Sequence, residues 1–192
     1  MISNDHGLKY DGIKDGFLTT ATQCPSPNAN QRPSGKLVSL LVIHNISLPP
    51  GEFGTGCVQK FFTNQLDSSS HPYFLTISEL KVSAHVFIER TGNIIQFVPF
   101  DARAWHAGAS SFRGVANCND YSIGIELEGC DDIEYTDAQY EALASLTRQI
   151  VAAYPDITPD RIVGHNQIAP ERKTDPGEAF DWLRFHQLLA TN

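Results

Sequence analysis

The chain has 192 residues, of which 41% are hydrophobic, and these totals suit one globular domain with a sizeable core. Its formal net charge of −8 argues against a broad nucleic-acid surface, which needs a basic stripe, but leaves room for a small basic pocket for an anionic substrate. The N-terminus lacks the pattern of a signal peptide, and no apolar run approaches the roughly 20 residues of a membrane span. We therefore expect a cytoplasmic protein with no nucleic-acid or membrane partner.

The first half of the chain alternates loops with short β-rich runs. A stretch rich in Pro, Ser and Asn at 21–36 predicts a surface loop, and the nearly continuous apolar run at 37–44 predicts a buried strand. Apolar residues at helical spacing predict a short helix over 57–66. Two β-rich runs at 83–90 and 94–98 flank a short turn that contains glycine, which predicts a hairpin.

The second half predicts a further strand and two longer helices. A loop at 101–120 precedes the run 121–129, in which apolar and other residues alternate as in a strand. Thr136 is a typical N-cap for an amphipathic helix over 137–153. A short apolar run ends at Gly164, and apolar residues from Trp182 onward predict a final helix.

This order of strands and helices predicts an α+β fold, in which a central mixed β-sheet is flanked by helices. We expect residues 21–192 to form this single domain, preceded by an N-terminal segment, 1–20, to which the sequence assigns no role.

Histidines are the first candidates for chemistry. Three of the seven lie in polar or loop-like settings that favour solvated side chains: His6, His71 and His186. The other four lie at or near predicted strands or in a loop of small residues: His44, His85, His106 and His165.

Two histidines and one aspartate form a candidate metal site. His44 ends one apolar run, His165 follows another, and Asp175 lies ten residues further on. Two imidazoles and a carboxylate suit a catalytic zinc site, whose fourth position is left for water. The spacing is not specific, however, and a His–Asp pair that only braces a loop explains it equally well. The four cysteines form no close pair, which argues against zinc bound by paired thiolates.

Candidate partners for this chemistry remain open on residue pattern alone. Glu126 and Glu128 share one face of a strand, so either is a potential general base or merely a solvated carboxylate. Lys173 is either an oxyanion-stabilising cation or an ordinary surface lysine. Trp105 either lines a groove or anchors its loop, and His85 is either structural or orients a metal ligand.

Seven sequence blocks carry a resemblance to a known family: LVIHNISLPPGEFG, HPYF, VSAHVFIERTG, AWHAG, CNDYSIGIELEG, YTDAQY and GHNQIAPERKTDPG. In this order they resemble the zinc-dependent N-acetylmuramoyl-L-alanine amidases over nearly the whole chain from about residue 21. The resemblance implies a mixed sheet packed against helices, with zinc in a groove above it. It implies that one Zn²⁺ ion is bound by His44, His165 and Asp175.

The resemblance also implies roles for other residues. It places the catalytic glutamate at Glu126 and the transition-state lysine at Lys173. By position it suggests substrate contacts for Asn45, Lys81, Trp105 and Arg172. Lys81 stands where some relatives carry arginine, and lysine attracts a stem-peptide carboxylate only as a point charge.

The implied reaction is hydrolysis of the amide bond between the lactyl group of 1,6-anhydro-N-acetylmuramic acid and L-alanine in muropeptides. Such an enzyme acts in cell-wall recycling and lowers the muropeptide signal that induces a β-lactamase. The expected partner is this small-molecule substrate, and the expected state is a monomer. The alternative is a non-catalytic muropeptide-binding module, as in relatives that have lost a metal ligand, but Asp175, Glu126 and Lys173 are all present here. A purely structural zinc would require four protein ligands and more thiolates.

Overall fold

A six-stranded mixed sheet forms the centre of the computed structural model, which describes residues 12–191. In chain order its strands are β1 (Thr22–Gln23), β2 (Leu40–Ile46), β3 (Val86–Ile88), β4 (Ile94–Gln96), β5 (Ser122–Glu128) and β6 (Ile162–Gly164). The spatial order is β6-β2-β5-β3-β4-β1, in which β3 and β4 are antiparallel and all other neighbours are parallel. The predicted mixed sheet and the predicted hairpin are therefore confirmed.

Five helices lie among the described residues: α1 (Cys57–Phe62), α2 (Pro72–Ile77), α3 (Asp137–Ala153), α4 (His165–Ile168) and α5 (Trp182–Ala190). The predicted start of α3 is confirmed, because the Thr136 hydroxyl accepts a hydrogen bond from the backbone N–H of Gln139 and the Gln139 side chain accepts one from the N–H of Thr136. This reciprocal capping box satisfies two backbone donors that the first turn of a helix leaves unpaired.

The two faces of the sheet have different coverings. On one face, Ile123, Ile125 and Leu127 of β5 belong to the same buried core as the apolar side chains of α3 and Phe185 of α5. On the opposite face, α1 and α2 pack their phenylalanines against Phe87 and its neighbours. The even-numbered residues of β5 point to this second face, because side chains alternate along a strand.

Smaller elements surround the sheet. Antiparallel ribbons pair Ile13–Lys14 with Phe17–Leu18, Ala29–Gln31 with Ala102–Ala104, and Ser111–Phe112 with Val115–Ala116. Single turns of 3-10 helix lie at Ser68–Ser70, Cys118–Asp120 and Pro159–Arg161. Of the N-terminal segment 1–20, the described part packs onto the domain, since Leu18 is buried and its N–H donates to Gln96 Oε1 at 2.7 Å.

Several element boundaries differ from those predicted. The strand predicted at 37–44 lies at Leu40–Ile46, where its parallel partner β5 is available for pairing. The helix predicted over 57–66 ends at Phe62, and Asn64 then takes a left-handed conformation with φ of 59°. The loop predicted at 21–36 contains two short strands. The local sequence does not predict them, because their partner strands lie more than 70 residues away in the sequence. His6 lies outside the described residues. Among the helices of residues 12–191, none has the length and apolar character of a membrane span.

Candidate active site

Three adjacent parallel strands bring the candidate metal ligands together. In the register of the sheet, His44 on β2 lies opposite Glu126 on β5, and Ile43 lies opposite Gly164 at the end of β6. His165, the next residue, therefore reaches the level of His44. The carboxyl ends of parallel strands form a shared edge where binding sites commonly lie.

Asp175 completes the cluster from the loop after α4. The backbone N–H of Asn166 donates to the carbonyl of Asp175 at 2.9 Å, which brings the loop back beside His165. Asp175 Oδ2 lies 3.1 Å from His44 Nδ1 and 2.9 Å from His165 Nδ1, and the two Nδ1 atoms approach to 2.9 Å. All three residues are buried, and their ligand atoms lie within 4.8 Å of one another.

The hydrogen bonds behind the cluster indicate that its inner atoms are acceptors. His165 Nε2 lies 3.2 Å from the carbonyl oxygen of Ala107 and must carry a hydrogen to donate there. In the neutral ring, Nδ1 is then bare and faces both the Asp175 carboxylate and His44 Nδ1. A cation between such converging acceptors would satisfy all of them at once. These three side chains therefore suit a metal ion as ligands, and two imidazoles with one carboxylate form a ligand set that catalytic zinc sites use.

Burial and the contacts between these groups together set their charges. Burial lowers the pKa of His44 to about 4, although the hydrogen bond with Asp175 opposes the shift. For Asp175, burial alone would raise the pKa, but the close contacts of its carboxylate with the His165 and His44 rings outweigh burial and hold the pKa well below its usual range. A neutral imidazole beside an ionised carboxylate is the protonation state that metal binding requires.

Glu126 faces the same site from β5. Glu126 is 8% exposed, and its buried Oε2 has no hydrogen-bond partner among the described residues. Burial raises its pKa well above the usual value, the negative charge of Asp175 adds to the shift, and Lys173 partly offsets it. A carboxyl group with a raised pKa and a free oxygen is suited to carry a proton during a reaction.

Glu128, two residues further along the same face of β5, has a structural role. Its Oε1 accepts the backbone N–H of Gly54 at 2.5 Å, and its Oε2 accepts the backbone N–H of Arg90 at 3.0 Å. Both carboxylate oxygens are thus occupied by backbone donors from two different loops. Glu128 holds these loops against the sheet and has no contact with the metal cluster.

We expect Glu128→Ala to lower the free energy of unfolding by about 3–6 kcal/mol, because two hydrogen bonds to a charged group are lost and each typically contributes about 1.5–3 kcal/mol. Urea denaturation of the variant and the parent chain measures this difference. A variant as stable as the parent would show that the two loops hold their places without the carboxylate.

A cavity of about 560 Å³ opens above the cluster. Its polar side contains Glu126, His165, Lys173 and Asp175, and its apolar side consists of residues from or near α1 and α2, among them Phe61, Tyr73, Ile77, Leu80 and Val82. A larger depression of about 960 Å³, beside Arg32 and Tyr154, contains none of the cluster residues. Chemistry rather than size therefore identifies the candidate active site.

The four residues suggested as substrate contacts divide into two groups. Asn45 and Arg172 line the cavity, whereas Lys81 and Trp105 are not part of its wall. Arg172 Nη2 donates to the carbonyls of Ala107 and Ala109 at 2.7 and 2.9 Å, so part of its hydrogen-bonding capacity already holds a loop. The Asn45 amide likewise donates to Asp131 Oδ1 at 2.9 Å.

Trp105 and His85 have structural partners. The indole N–H of Trp105 donates to Asn30 Oδ1 at 2.6 Å. His85 Nδ1 accepts the backbone N–H of Gly124, and its Nε2 lies 3.1 Å from the carbonyl of Ala102. Its hydrogen bonds therefore do not reach a metal ligand.

His106 is a neighbour of the cluster to which the sequence pattern assigned no role. Its Nδ1 lies 2.9 Å from His44 Nε2, the ring nitrogen that faces away from the metal cluster. The sequence holds one signal for the position of this ring, which is a glycine, Gly124, on the strand against which His106 packs. An ideal Cβ atom at Gly124 would lie 2.4 Å from His106 Nδ1, so only glycine leaves room for this ring.

Comparisons with known proteins identify similar chains. A family model described as N-acetylmuramoyl-L-alanine amidase matches residues 33–178. The 1,6-anhydro-N-acetylmuramyl-L-alanine amidase AmpD of Salmonella typhimurium (strain SL1344) is 56% identical over 175 residues, which cover 91% of this chain and 93% of the relative. A crystal structure of a Se-Met AmpD derivative superposes with a TM-score of 0.90 at 54% identity, covering 92% of this chain and 98% of the other.

A more distant structure is described with a ligand. It is a complex of the N-acetylmuramyl-L-alanine amidase AmiD from E. coli with the substrate anhydro-N-acetylmuramic acid-L-Ala-D-gamma-Glu-L-Lys. It matches with a TM-score of 0.58 at 31% identity, covering 82% of this chain and 60% of that chain.

Proposed function

Because this chain belongs to the N-acetylmuramoyl-L-alanine amidase family, we propose that it hydrolyses the amide bond between the lactyl group of 1,6-anhydro-N-acetylmuramic acid and L-alanine in muropeptides. The observation that carries the proposal is the buried cluster of His44, His165 and Asp175 beside Glu126, at the floor of a cavity of about 560 Å³. Relatives that are 53–56% identical over most of the chain are named for this reaction.

The same proposal assigns one Zn²⁺ ion to His44, His165 and Asp175. A zinc ion there supplies Lewis acidity, which polarises a carbonyl group and lowers the pKa of water to about 7. The His-His-Asp set supports this assignment, because three protein ligands are typical of catalytic zinc sites whereas structural zinc sites use four.

Glu126 moves the proton. Its carboxylate, which lines the cavity, takes a proton from the attacking water, and the carboxyl group then donates this proton to the nitrogen of the leaving L-alanine. Burial of Glu126 supports the second step, because a raised pKa lets the carboxyl group hold the proton until the amine leaves. The carboxylates of Asp175 and Glu126 thus have separate roles, one as a ligand and one as an acid–base.

Lys173 stabilises the developing oxyanion from the cavity wall, where its side chain is half-buried. We expect Lys173→Met to lower kcat by about 10²- to 10³-fold, the typical loss for one oxyanion donor, while zinc content and KM stay near those of the parent. Steady-state kinetics on an anhydromuramyl tripeptide measures kcat and KM. Metal analysis of the same samples measures their zinc content. Parental turnover in the variant would remove Lys173 from the mechanism.

The cell role follows from the substrate. Hydrolysis of anhydromuramyl peptides belongs to cell-wall recycling, and it lowers the muropeptide signal that induces a β-lactamase. We propose that the chain does this in the cytoplasm as a monomer, with the muropeptide as its small-molecule partner.

Product analysis tests the proposed function. The zinc-loaded protein is incubated with an anhydromuramyl tripeptide, and mass spectrometry follows the mixture. We expect free tripeptide and 1,6-anhydro-N-acetylmuramic acid, each in step with substrate loss. The second candidate is a non-catalytic muropeptide-binding module. It would bind the anhydromuramyl tripeptide and leave it intact, and that result would overturn the proposal.

A further inference from the structure

We propose that His106, supported by Ser122, is a positioning residue that holds the His44 ring with Nδ1 turned toward the metal cluster. This inference rests on the proposed zinc amidase function and adds residues outside the ligand set to it. The observation is a continuous row of hydrogen bonds behind the ligand: His44 Nε2 lies 2.9 Å from His106 Nδ1, and His106 Nε2 lies 3.0 Å from Ser122 Oγ.

Hydrogen positions along this row follow from the first ligand. A metal-binding Nδ1 carries no hydrogen, so the neutral His44 ring carries its hydrogen on Nε2 and donates it to His106. His106 Nδ1 is then an acceptor, which leaves its hydrogen on Nε2 for the Ser122 hydroxyl. The row therefore selects one tautomer for both rings and one orientation for the His44 ring.

The same loop supports the second histidine ligand. The carbonyl of Ala107, the next residue, accepts from His165 Nε2 at 3.2 Å and from Arg172 Nη2 at 2.7 Å. Asn119 Oδ1 in turn accepts the backbone N–H groups of His106 and Ala107 at 3.1 and 2.8 Å. One loop, fixed by one asparagine, thus backs both imidazole ligands on the side away from the metal cluster.

Packing keeps the His106 ring in this place. His106 is 9% exposed, and the ring lies over Gly124 of β5, where a Cβ atom would overlap it. His44 and His106 meet edge to face, with ring centroids 5.0 Å apart. The glycine does not have a positive φ, so it is needed here for space rather than for backbone conformation.

His85 provides an internal contrast. It is 0% exposed, and its ring lies 5.7 Å from that of His106, yet its hydrogen bonds run to the backbone of Gly124 and Ala102. Two buried histidines therefore share one neighbourhood, but only His106 contacts a metal ligand. Replacing His85 should weaken the fold, whereas replacing His106 should weaken the metal site.

The test measures zinc affinity separately from activity. His106→Ala, His106→Asn, Ser122→Ala and the control His85→Asn are stripped of metal, and zinc is titrated in competition with a chromophoric chelator. We expect His106→Ala to bind zinc about 10- to 100-fold more weakly, the usual loss for an outer partner of a ligand. His106→Asn should recover much of this loss, because its amide oxygen can accept from His44 Nε2. His85→Asn should keep the parental zinc affinity.

A spectroscopic measurement accompanies the titration. Co²⁺ in place of zinc reports ligand geometry through its visible absorption, and we expect this absorption to shift in His106→Ala but not in His85→Asn. Parental zinc affinity together with an unchanged Co²⁺ spectrum in His106→Ala would overturn the positioning role. If that variant does not fold, as judged by circular dichroism, Ser122→Ala decides. It removes only a hydroxyl group, and unchanged zinc affinity in it overturns the role.

The parent chain separates this inference from the proposed function. A parent that binds no zinc and leaves the anhydromuramyl tripeptide intact contradicts the proposed function itself. Suppose instead that the parent binds zinc and hydrolyses the anhydromuramyl tripeptide, while the His106→Ala variant keeps parental zinc affinity and the parental Co²⁺ spectrum. That result contradicts only the role of His106.

Discussion

We expect Glu126→Gln to lower kcat by about 10²- to 10⁴-fold, the range that a positioned general acid–base contributes. Glutamine has nearly the same shape as glutamate but cannot take a proton from water. Zinc affinity should stay close to that of the parent, since Glu126 is not in the ligand set. The fold should not be weakened, because Oε2 makes no hydrogen bond among the described residues.

Kinetics and thermal denaturation of the same samples measure both parts of this expectation. Glu128→Ala is the matched comparison, since its two carboxylate oxygens are both bonded to backbone N–H groups. The Glu126 variant should lose turnover and keep its stability, whereas the Glu128 variant should lose stability. A Glu126→Gln variant that turned over at the parental rate would assign the proton transfer to another group.

The sequence allowed the larger elements to be predicted because their signals are local. The boundaries of α3 agree with the prediction, since Thr136 and the apolar stripe that follows it act within one helix. The hairpin of β3 and β4 was equally readable from its glycine turn. Short strands such as Thr22–Gln23 were missed because an edge strand of two residues depends on a distant partner.

The ligand cluster was only partly readable from residue pattern. His44 and His165 lie 121 positions apart, and their contact depends on the parallel register of β2 and β6. No spacing rule contains that register, so residue spacing alone explains a metal site and a braced loop equally well, and only the family resemblance favours the metal site. The structure adds the direction in which each Nδ1 points.

The choice between Glu126 and Glu128 shows a second limit. Both side chains lie on one face of β5, so strand periodicity treats them alike. They differ in what covers them: Glu128 lies beneath the backbone N–H groups of Gly54 and Arg90, whereas Glu126 opens to the cavity. Which loop covers a strand residue is a tertiary property.

Metal removal should have the largest effect of all, because the proposed chemistry depends on the ion that His44, His165 and Asp175 would hold. Without it, these residues supply no Lewis acid. Treatment with a chelator should therefore abolish hydrolysis of the anhydromuramyl tripeptide while the chain stays folded. The same loss is expected of an Asp175→Ala variant at ordinary zinc concentrations, since it removes the charged ligand.

The most direct measurement is a zinc titration of the metal-free protein, with hydrolysis of the anhydromuramyl tripeptide followed at each step. We predict background activity at zero zinc, a linear rise, and a plateau at one equivalent of zinc per chain. Full hydrolysis by protein shown to be free of metal would contradict the assignment of the cluster as a catalytic zinc site.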